Sequence, residues 1–390
     1  MTQGMTNVLI AHPCLRYGGS ELNALWSIAA LHESCRVGLA TGCPIDLAQL
    51  NRHCGTEVAA NDMETLLAPQ WPRWAIGHTD ALRGAPFARF LRSAAARFGV
   101  CISAYNVMDF GKPAIHFIAD LSFDDDLRRR YYPLPSGAKG SFHRPGPLRN
   151  GYLALARTIA GKSNYNGARD WYVANSAWTA GVVLAQRGMR CHRVLFPPVV
   201  GTAPTVPWEQ RESGFVVVGR VSQEKRIDRM IDIVGRVRTA GHAVHLHIVG
   251  AIGDDRYGRA IRDRILRNAS WCFAEGYRAG AEKMALLAQH RFALHGCLGE
   301  AFGISVAEYV KAGCIAFVPH QGGPAEIVGN DELIYREDDE AVAKIVALLD
   351  DTGRARALHA ELAQRAGMFS SERFMSEIRT LVADWLGRND

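Results

Sequence analysis

A single alternation runs through both halves of the sequence and leaves few folds open to it. Short apolar runs such as Asn7 to Ala11, Val100 to Ser103, Ala114 to Ile118, Trp171 to Ala174, Phe215 to Val218 and Val244 to Val249 are separated by amphipathic stretches. Runs of this length suit strands buried on both faces, and such strands need a layer of helices on each side. The pattern therefore specifies an α/β fold with parallel sheets. Gly19 to Leu31 and the helically spaced Ile227, Met230, Ile231, Val234 and Val237 read as the first helix of each half. Between Phe196 and Trp208 the alternation breaks, and Pro197, Pro198, Pro204 and Pro207 mark an interdomain linker. The expected organisation is two Rossmann-like domains, residues 1–200 and 210–370. The tail, residues 371–390, reads as a long amphipathic helix that packs back across the linker on the first domain.

Composition narrows the function classes. A chain of 390 residues with 48% hydrophobic residues is long enough for two cores. The net charge of +6 is compatible with anionic partners, but Arg128-Arg129-Arg130 stands without a wider basic field, so no nucleic-acid partner is expected. Nine scattered cysteines with no CxxC spacing point to reduced thiols, and hence to the cytoplasm. Val8 to Ala11 is too short for a signal peptide, and no stretch approaches the ~20 apolar residues of a membrane span. Phe87, Phe90, Leu91, Ala94 and Phe98 share one helix face. Packing within the domain is the preferred reading for that face, and peripheral contact with an anionic inner membrane surface stays open.

Chemistry concentrates in the second half. In Gly299-Glu300-Ala301-Phe302-Gly303-Ile304-Ser305-Val306-Ala307-Glu308, Gly303 is expected to open a helix. The unpaired amides of Gly303, Ile304 and Ser305 would then suit a diphosphate. Glu308, just over one turn inside, can accept hydrogen bonds from a ribose diol, and Glu300 in the preceding loop can contact sugar hydroxyls. The alternative is a helix start stabilised only by its dipole. Arg220 and Lys225 flank a strand-to-helix turn at the expected ligand-binding edge of a parallel sheet, where two cations suit an anion. A solvated basic turn is the competing reading. In the first half, Tyr17-Gly18-Gly19-Ser20-Glu21 follows the first strand, and its paired glycines permit close backbone approach to a phosphate or sugar, or simply a tight turn. No GxGxxG is present, which argues against a dinucleotide-binding dehydrogenase.

His116 lies near the end of an apolar strand and is expected either to face the interdomain cleft or to be a satisfied core residue. His245 and His247 form an HxH on one strand face with no third ligand suggested nearby, so no metal is expected there. Asp124-Asp125-Asp126 and Asp254-Asp255 read as caps or solvated loops rather than metal ligands.

Together these motifs resemble glycosyltransferase family 4. The resemblance is carried by Gly219-Arg220 with Glu224-Lys225, by Glu300 through Glu308, and by Gly322-Gly323-Pro324-Ala325-Glu326-Ile327-Val328. It implies the GT-B fold, two Rossmann-like domains facing a cleft. His12-Pro13 before Gly18-Gly19, Asn175-Ser176-Ala177-Trp178-Thr179, and His295 before Glu300 are most similar to GDP-mannose-dependent α-1,2-mannosyltransferases of lipid-linked oligosaccharide assembly. By this resemblance Arg220, Lys225 and the backbone amides of the Phe302–Ser305 segment bind the donor diphosphate; Gly18 and Gly19 are further donor-binding candidates. Glu308 binds the ribose, Glu300 contacts the transferred sugar, and His116 is the catalytic cleft histidine. Ala301 stands where the family commonly has proline. The resemblance further implies retention of anomeric configuration, no cofactor beyond the nucleotide-sugar substrate, and no essential metal. The acceptor is expected to be a glycan or lipid-linked glycan, contacting loops within Asn61 to Arg83 and Arg128 to Asn150. A nucleotide-sugar epimerase, a sugar phosphorylase and a non-catalytic nucleotide-sugar-binding protein are the rival readings.

Overall fold

A computed structural model describes residues 5–16, 18–69, 80–132 and 144–388; Tyr17 and parts of both expected acceptor loops lie outside them. The first sheet contains β1 (Thr6–His12), β2 (Cys35–Thr41), β3 (Glu64–Leu67), β4 (Val100–Ser103), β5 (Ile115–Ile118), β6 (Trp171–Ala174) and β7 (Cys191–Val194). All pairings are parallel, in the order β3-β2-β1-β4-β5-β6-β7. Its connections include α1 (Ser20–Leu31), α2 (Leu47–Cys54), α3 (Asp80–Ala95), α4 (Asp125–Tyr131), α5 (Pro147–Ala160) and α6 (Ala177–Arg187).

Strand β1 shows why a continuous apolar run was needed. Val8 and Ile10 enter the core formed with α1, whereas Leu9 and Ala11 enter a separate core with Phe87, Leu91 and Phe98. Successive residues point to opposite faces, so one strand contributes to both layers. The apolar face of α3 is therefore turned towards its own sheet, with Leu91 fully buried.

The second sheet contains β8 (Glu212–Val218), β9 (His245–Val249), β10 (Cys272–Gly276), β11 (His290–Leu294), β12 (Ile315–Pro319) and β13 (Ile334–Tyr335). These strands are also parallel and run β10-β9-β8-β11-β12-β13. They are covered by α7 (Ile227–Thr239), α8 (Arg256–Arg267), α9 (Gly280–Gln289), α10 (Ile304–Ala312), α11 (Pro324–Val328), α12 (Asp338–Asp350) and α13 (Thr352–Arg365). The α7 residues Ile227, Met230, Ile231, Val234 and Val237 are buried in this core. Burial of each such side chain contributes about 1.5–3 kcal/mol.

The final helix, α14 (Ser371–Gly387), returns to the first sheet. Phe374, Ile378, Leu381 and Trp385 join the core of α1, and Arg379 Nε donates to the Ala30 carbonyl at 2.9 Å. The crossing is tied down where Val199 N donates to Phe369 O at 2.9 Å and Lys311 Nζ donates to Val199 O at 2.6 Å. No helix among the described residues is long and apolar enough to cross a membrane.

The expectation of reduced thiols fails at one pair, because Cys14 and Cys43 form a disulfide with Cα atoms 5.1 Å apart. The two residues follow β1 and β2, whose adjacent ends are also joined by Gly42 N donating to Pro13 O at 2.9 Å. Neighbouring parallel strands bring together cysteines that the sequence separates, so their scatter carries no information on redox compartment. The acidic clusters do act as caps: Asp124 accepts from Asp126 N and Leu127 N, and Asp255 from Gly258 N.

Candidate active site

The C-terminal ends of the two sheets face a cleft of about 1730 Å³, the location at which open parallel sheets bind ligands. The second domain lines it with Gly219, Arg220, Lys225, Glu300 and Phe302 to Ser305, and the first with His12, Gly18, Gly19 and Asp120 among others.

On the second-domain wall, β8 ends at Val218 and the chain turns through a short 3-10 segment, Gln223–Lys225. Lys225 Nζ donates to Glu300 Oε2, and the two side chains are only 19% and 24% exposed. Burial raises the Glu300 pKa, but the Lys225 ammonium and His295, at 3.7 Å, outweigh it and bring the carboxyl down to about 2. Burial likewise works against the Lys225 charge, yet Glu300 holds its pKa above the usual value. His295 is pushed down to about 4 by burial, against the pull of Glu300. A charged pair and a neutral imidazole therefore sit together on this wall.

Directly beside them α10 begins. Gly303 has φ 101°, and a Cβ there would lie 2.9 Å from Pro324 Cγ, so both backbone and space require glycine. No side chain caps the helix. Its first residues, Gly303, Ile304 and Ser305, line the cleft, where unpaired first-turn amides and the partial positive charge of a helix start suit an anion. Arg220 also lines the cleft, but its side chain is 83% exposed and reaches Glu224 at 3.3 Å, a weak solvent-screened pair.

Two expected site residues lie elsewhere. His116 does not face the cleft: its side chain is 1% exposed, its ring lies between Phe110 and Tyr172, and Nε2 is 3.3 Å from Asp170. As the second residue of β5 it sits inside the sheet, short of its C-terminal edge. The acidic Asp120, beyond the end of that strand, lines the cleft instead. It is held by Tyr105 Oη at 3.1 Å, Asn106 Nδ2 at 3.0 Å and Ser122 N at 2.7 Å. Glu308 is buried within α10, is absent from the cleft lining, and accepts a 2.6 Å hydrogen bond from Lys283 of α9. A ribose contact by Glu308 would have to compete with that partner, which no local pattern announced.

The glycine pair lines the cleft, and its turn is held by Glu21. Gly18 N donates to Glu21 Oε2 at 3.0 Å, and the same carboxylate accepts from Ser20 Oγ at 3.1 Å. The Gly18 amide is thus engaged by the Glu21 carboxylate. At Gly19 a Cβ would lie 2.4 Å from Ile304 Cδ1, so glycine lets the two domains meet at the cleft floor. His12, at the end of β1, is 3% exposed and bonded to Ser20 Oγ at 2.9 Å. Burial pushes its pKa down to about 4, with Glu21 pulling the other way.

A second contact across the domains involves the Gly322 to Val328 motif. Glu326 accepts from the Ala177 and Trp178 amides at 2.8 and 2.5 Å, at the start of α6. The Ala301 carbonyl accepts from Ser176 Oγ and Thr179 Oγ1 at 2.6 and 3.0 Å. A carboxylate on a helix start is a charge-assisted contact, and it spans the two domains. Glu326→Ala is expected to lower stability by about 1–3 kcal/mol, measured as a lower denaturant midpoint. An unchanged midpoint would show that this contact contributes nothing.

Residues 212–351 match the family model described as Glycosyl transferases group 1, a segment that contains the Lys225, Glu300 and α10 wall. No curated protein matches the chain by sequence. Solved structures match it over nearly the whole length. HepE of Anabaena, in complex with UDP and glucose, has a TM-score of 0.65 and 15% identity, covering 97% of this chain and 100% of that one. Sucrose-phosphate synthase from Thermosynechococcus elongatus has a TM-score of 0.66 and 14% identity, covering 98% and 100%. WaaG, a glycosyltransferase involved in lipopolysaccharide biosynthesis, has a TM-score of 0.64 and 13% identity, covering 95% and 99%. The fold is GT-B. In this GT-B chain the group 1 match falls on the second domain, and match and fold together support an enzyme that transfers a hexosyl group.

Proposed function

We propose that the chain is a retaining glycosyltransferase that moves a hexose from a nucleoside-diphosphate donor to a glycan or lipid-linked glycan acceptor. The observation that carries this reading is the Lys225–Glu300 pair beside the uncapped start of α10, open to the interdomain cleft. In it, Lys225, Arg220 and the amides of Gly303 to Ser305 offset the charge that develops on the departing diphosphate. Glu300, held ionised by Lys225, accepts hydrogen bonds from the hydroxyls of the transferred sugar. On the opposite wall the Asp120 carboxylate is already engaged by Tyr105, Asn106 and Ser122, which favours positioning over nucleophilic attack. Transfer on the front face, with the leaving phosphate taking the acceptor proton, fits this better than a covalent glycosyl-enzyme.

Two donors compete. The motif details around His12, Asn175 to Thr179 and His295 favour GDP-mannose, whereas the UDP and glucose bound in HepE favour UDP-glucose. Thermal-shift measurements with a panel of nucleotide sugars separate them, because a ligand at a hundred times its dissociation constant adds about 2.7 kcal/mol of stability. Stabilisation by GDP-mannose and not UDP-glucose supports mannosyl transfer, and the converse supports the second reading. Stabilisation by none would sink the nucleotide-sugar site. Product formed without an acceptor, or only with inorganic phosphate, would indicate an epimerase or a phosphorylase.

A further inference from the structure

At the N-terminal ends of the strands in the second sheet, opposite the cleft, three histidines converge. His245 and His247 lie on one face of β9, and His290 opens β11. Strand β8 runs between them, with Gly214 opposite His245 and Glu212 opposite His290. The three rings share this face of the sheet, with centroids 5.1, 5.3 and 4.6 Å apart. One ligand nitrogen from each lies within 4.8 Å of the others. Imidazoles bound to one tetrahedral Zn²⁺ through bonds of about 2.0–2.1 Å place their ring centres about 5 Å apart.

The hydrogen bonds around the cluster leave the right nitrogens available. His290 Nδ1 is 2.8 Å from the Leu286 carbonyl, which can only accept, so that nitrogen carries the proton. Its Nε2 is then a lone pair, buried in a side chain 1% exposed and without a hydrogen bond. His247 Nδ1 is 2.7 Å from Glu275 Oε1, and Glu275 is itself held by Arg278 at 2.5 Å. A carboxylate that orients a histidine through its far nitrogen is the arrangement found behind metal-bound imidazoles. His245 Nε2 lies 3.3 Å from Glu212 Oε2, and His290 Nε2 lies 3.9 Å from the same oxygen. Adjacent ligand atoms on a tetrahedral Zn²⁺ are about 3.3 Å apart for such bond lengths. Gly214 makes the space, since a Cβ there would come within 2.1 Å of His245 Nε2.

We propose that His245, His247 and His290, with Glu212 as fourth ligand, form a Zn²⁺ site that ties β8, β9 and β11 together. The ligands come from three neighbouring strands at the end of the sheet away from the cleft, so the role is structural. The site lies about 13 Å along β8 from the cleft end at Val218, at ~3.3 Å per residue. A second cluster of ligating groups among the described residues, His295, Cys297 and Glu300, differs because the Lys225 ammonium already occupies Glu300.

The test uses the whole chain without a histidine tag, its metal content measured by plasma mass spectrometry. After stripping with chelator, Zn²⁺ is titrated against a competing chromophoric chelator, with unfolding followed in parallel. The expected result is one Zn²⁺ per chain and a higher unfolding midpoint with Zn²⁺ but not with Mg²⁺. His247→Gln should lower the affinity at least tenfold. Glu275→Gln, which removes no ligand and leaves the core intact, should lower it ten- to a hundredfold. Failure to bind one equivalent of Zn²⁺, or one-equivalent binding unchanged in both variants, overturns the proposal.

Discussion

Lys225→Ala is expected to reduce donor turnover by about a hundred- to a thousandfold, the loss typical when one electrostatic partner of a developing charge is removed. The same substitution should lower stability by about 1.5–3 kcal/mol. Glu300 would keep its place in the wall without the ammonium that holds its carboxyl down to about 2, and charged hydrogen bonds of this kind carry that magnitude. The two effects have different origins and can be separated. Lys225→Ala combined with Glu300→Gln removes the unpaired charge, so the denaturant midpoint should recover while turnover stays low. Recovery of both would mean that Lys225 acts only by neutralising Glu300. Wild-type turnover in Lys225→Ala would remove the diphosphate role altogether.

Acid should destabilise the protein well above the carboxylate range. His12 and His295 are each pushed down to about 4 by burial, from 6.5. In the unfolded chain they take up protons near 6.5, and in the folded protein only near 4. The unfolded state therefore binds more protons throughout that window. Stability from this source is complete above about pH 6.5, declines as the pH falls, and levels off near 4. A shift of this size corresponds to about 3 kcal/mol for each group, a large part of the ~5–15 kcal/mol of a typical domain. Below about 4.5, protonation of Glu300 continues the decline towards 2. Denaturant midpoints measured from pH 7 to pH 4 should fall steadily, and His295→Gln should flatten part of that slope. A profile that stays level down to pH 4.5 would contradict the neutral, buried state of both imidazoles.

How far the site could be read from the sequence depended on the range of each signal. The strand around His116 was legible because a continuous apolar run is a local pattern, but such a run does not reveal which residue reaches the sheet edge. The cleft residue there is Asp120, just beyond the strand, while His116 is buried among Phe110, Tyr172 and Asp170. Gly303 was legible as a helix start since its neighbours carry the signal. Glu308 was legible as a residue inside that helix, yet its partner Lys283 belongs to another helix. The paired glycines were legible as a close approach, although what approaches Gly19 is Ile304 of the other domain.

The α/β alternation, the break near residues 196–208, and the placement of Lys225, Glu300 and Gly303 at strand and helix ends are all written locally in the chain. Each of these depends on residues a few positions apart, where periodicity and backbone preference act directly. Folding in three dimensions is what brings Cys14 to Cys43, Lys225 to Glu300, Glu326 across the domains, and His290 to the pair formed by His245 and His247. Those contacts follow from strand order and domain packing, and burial of apolar surface drives both without regard to separation along the chain.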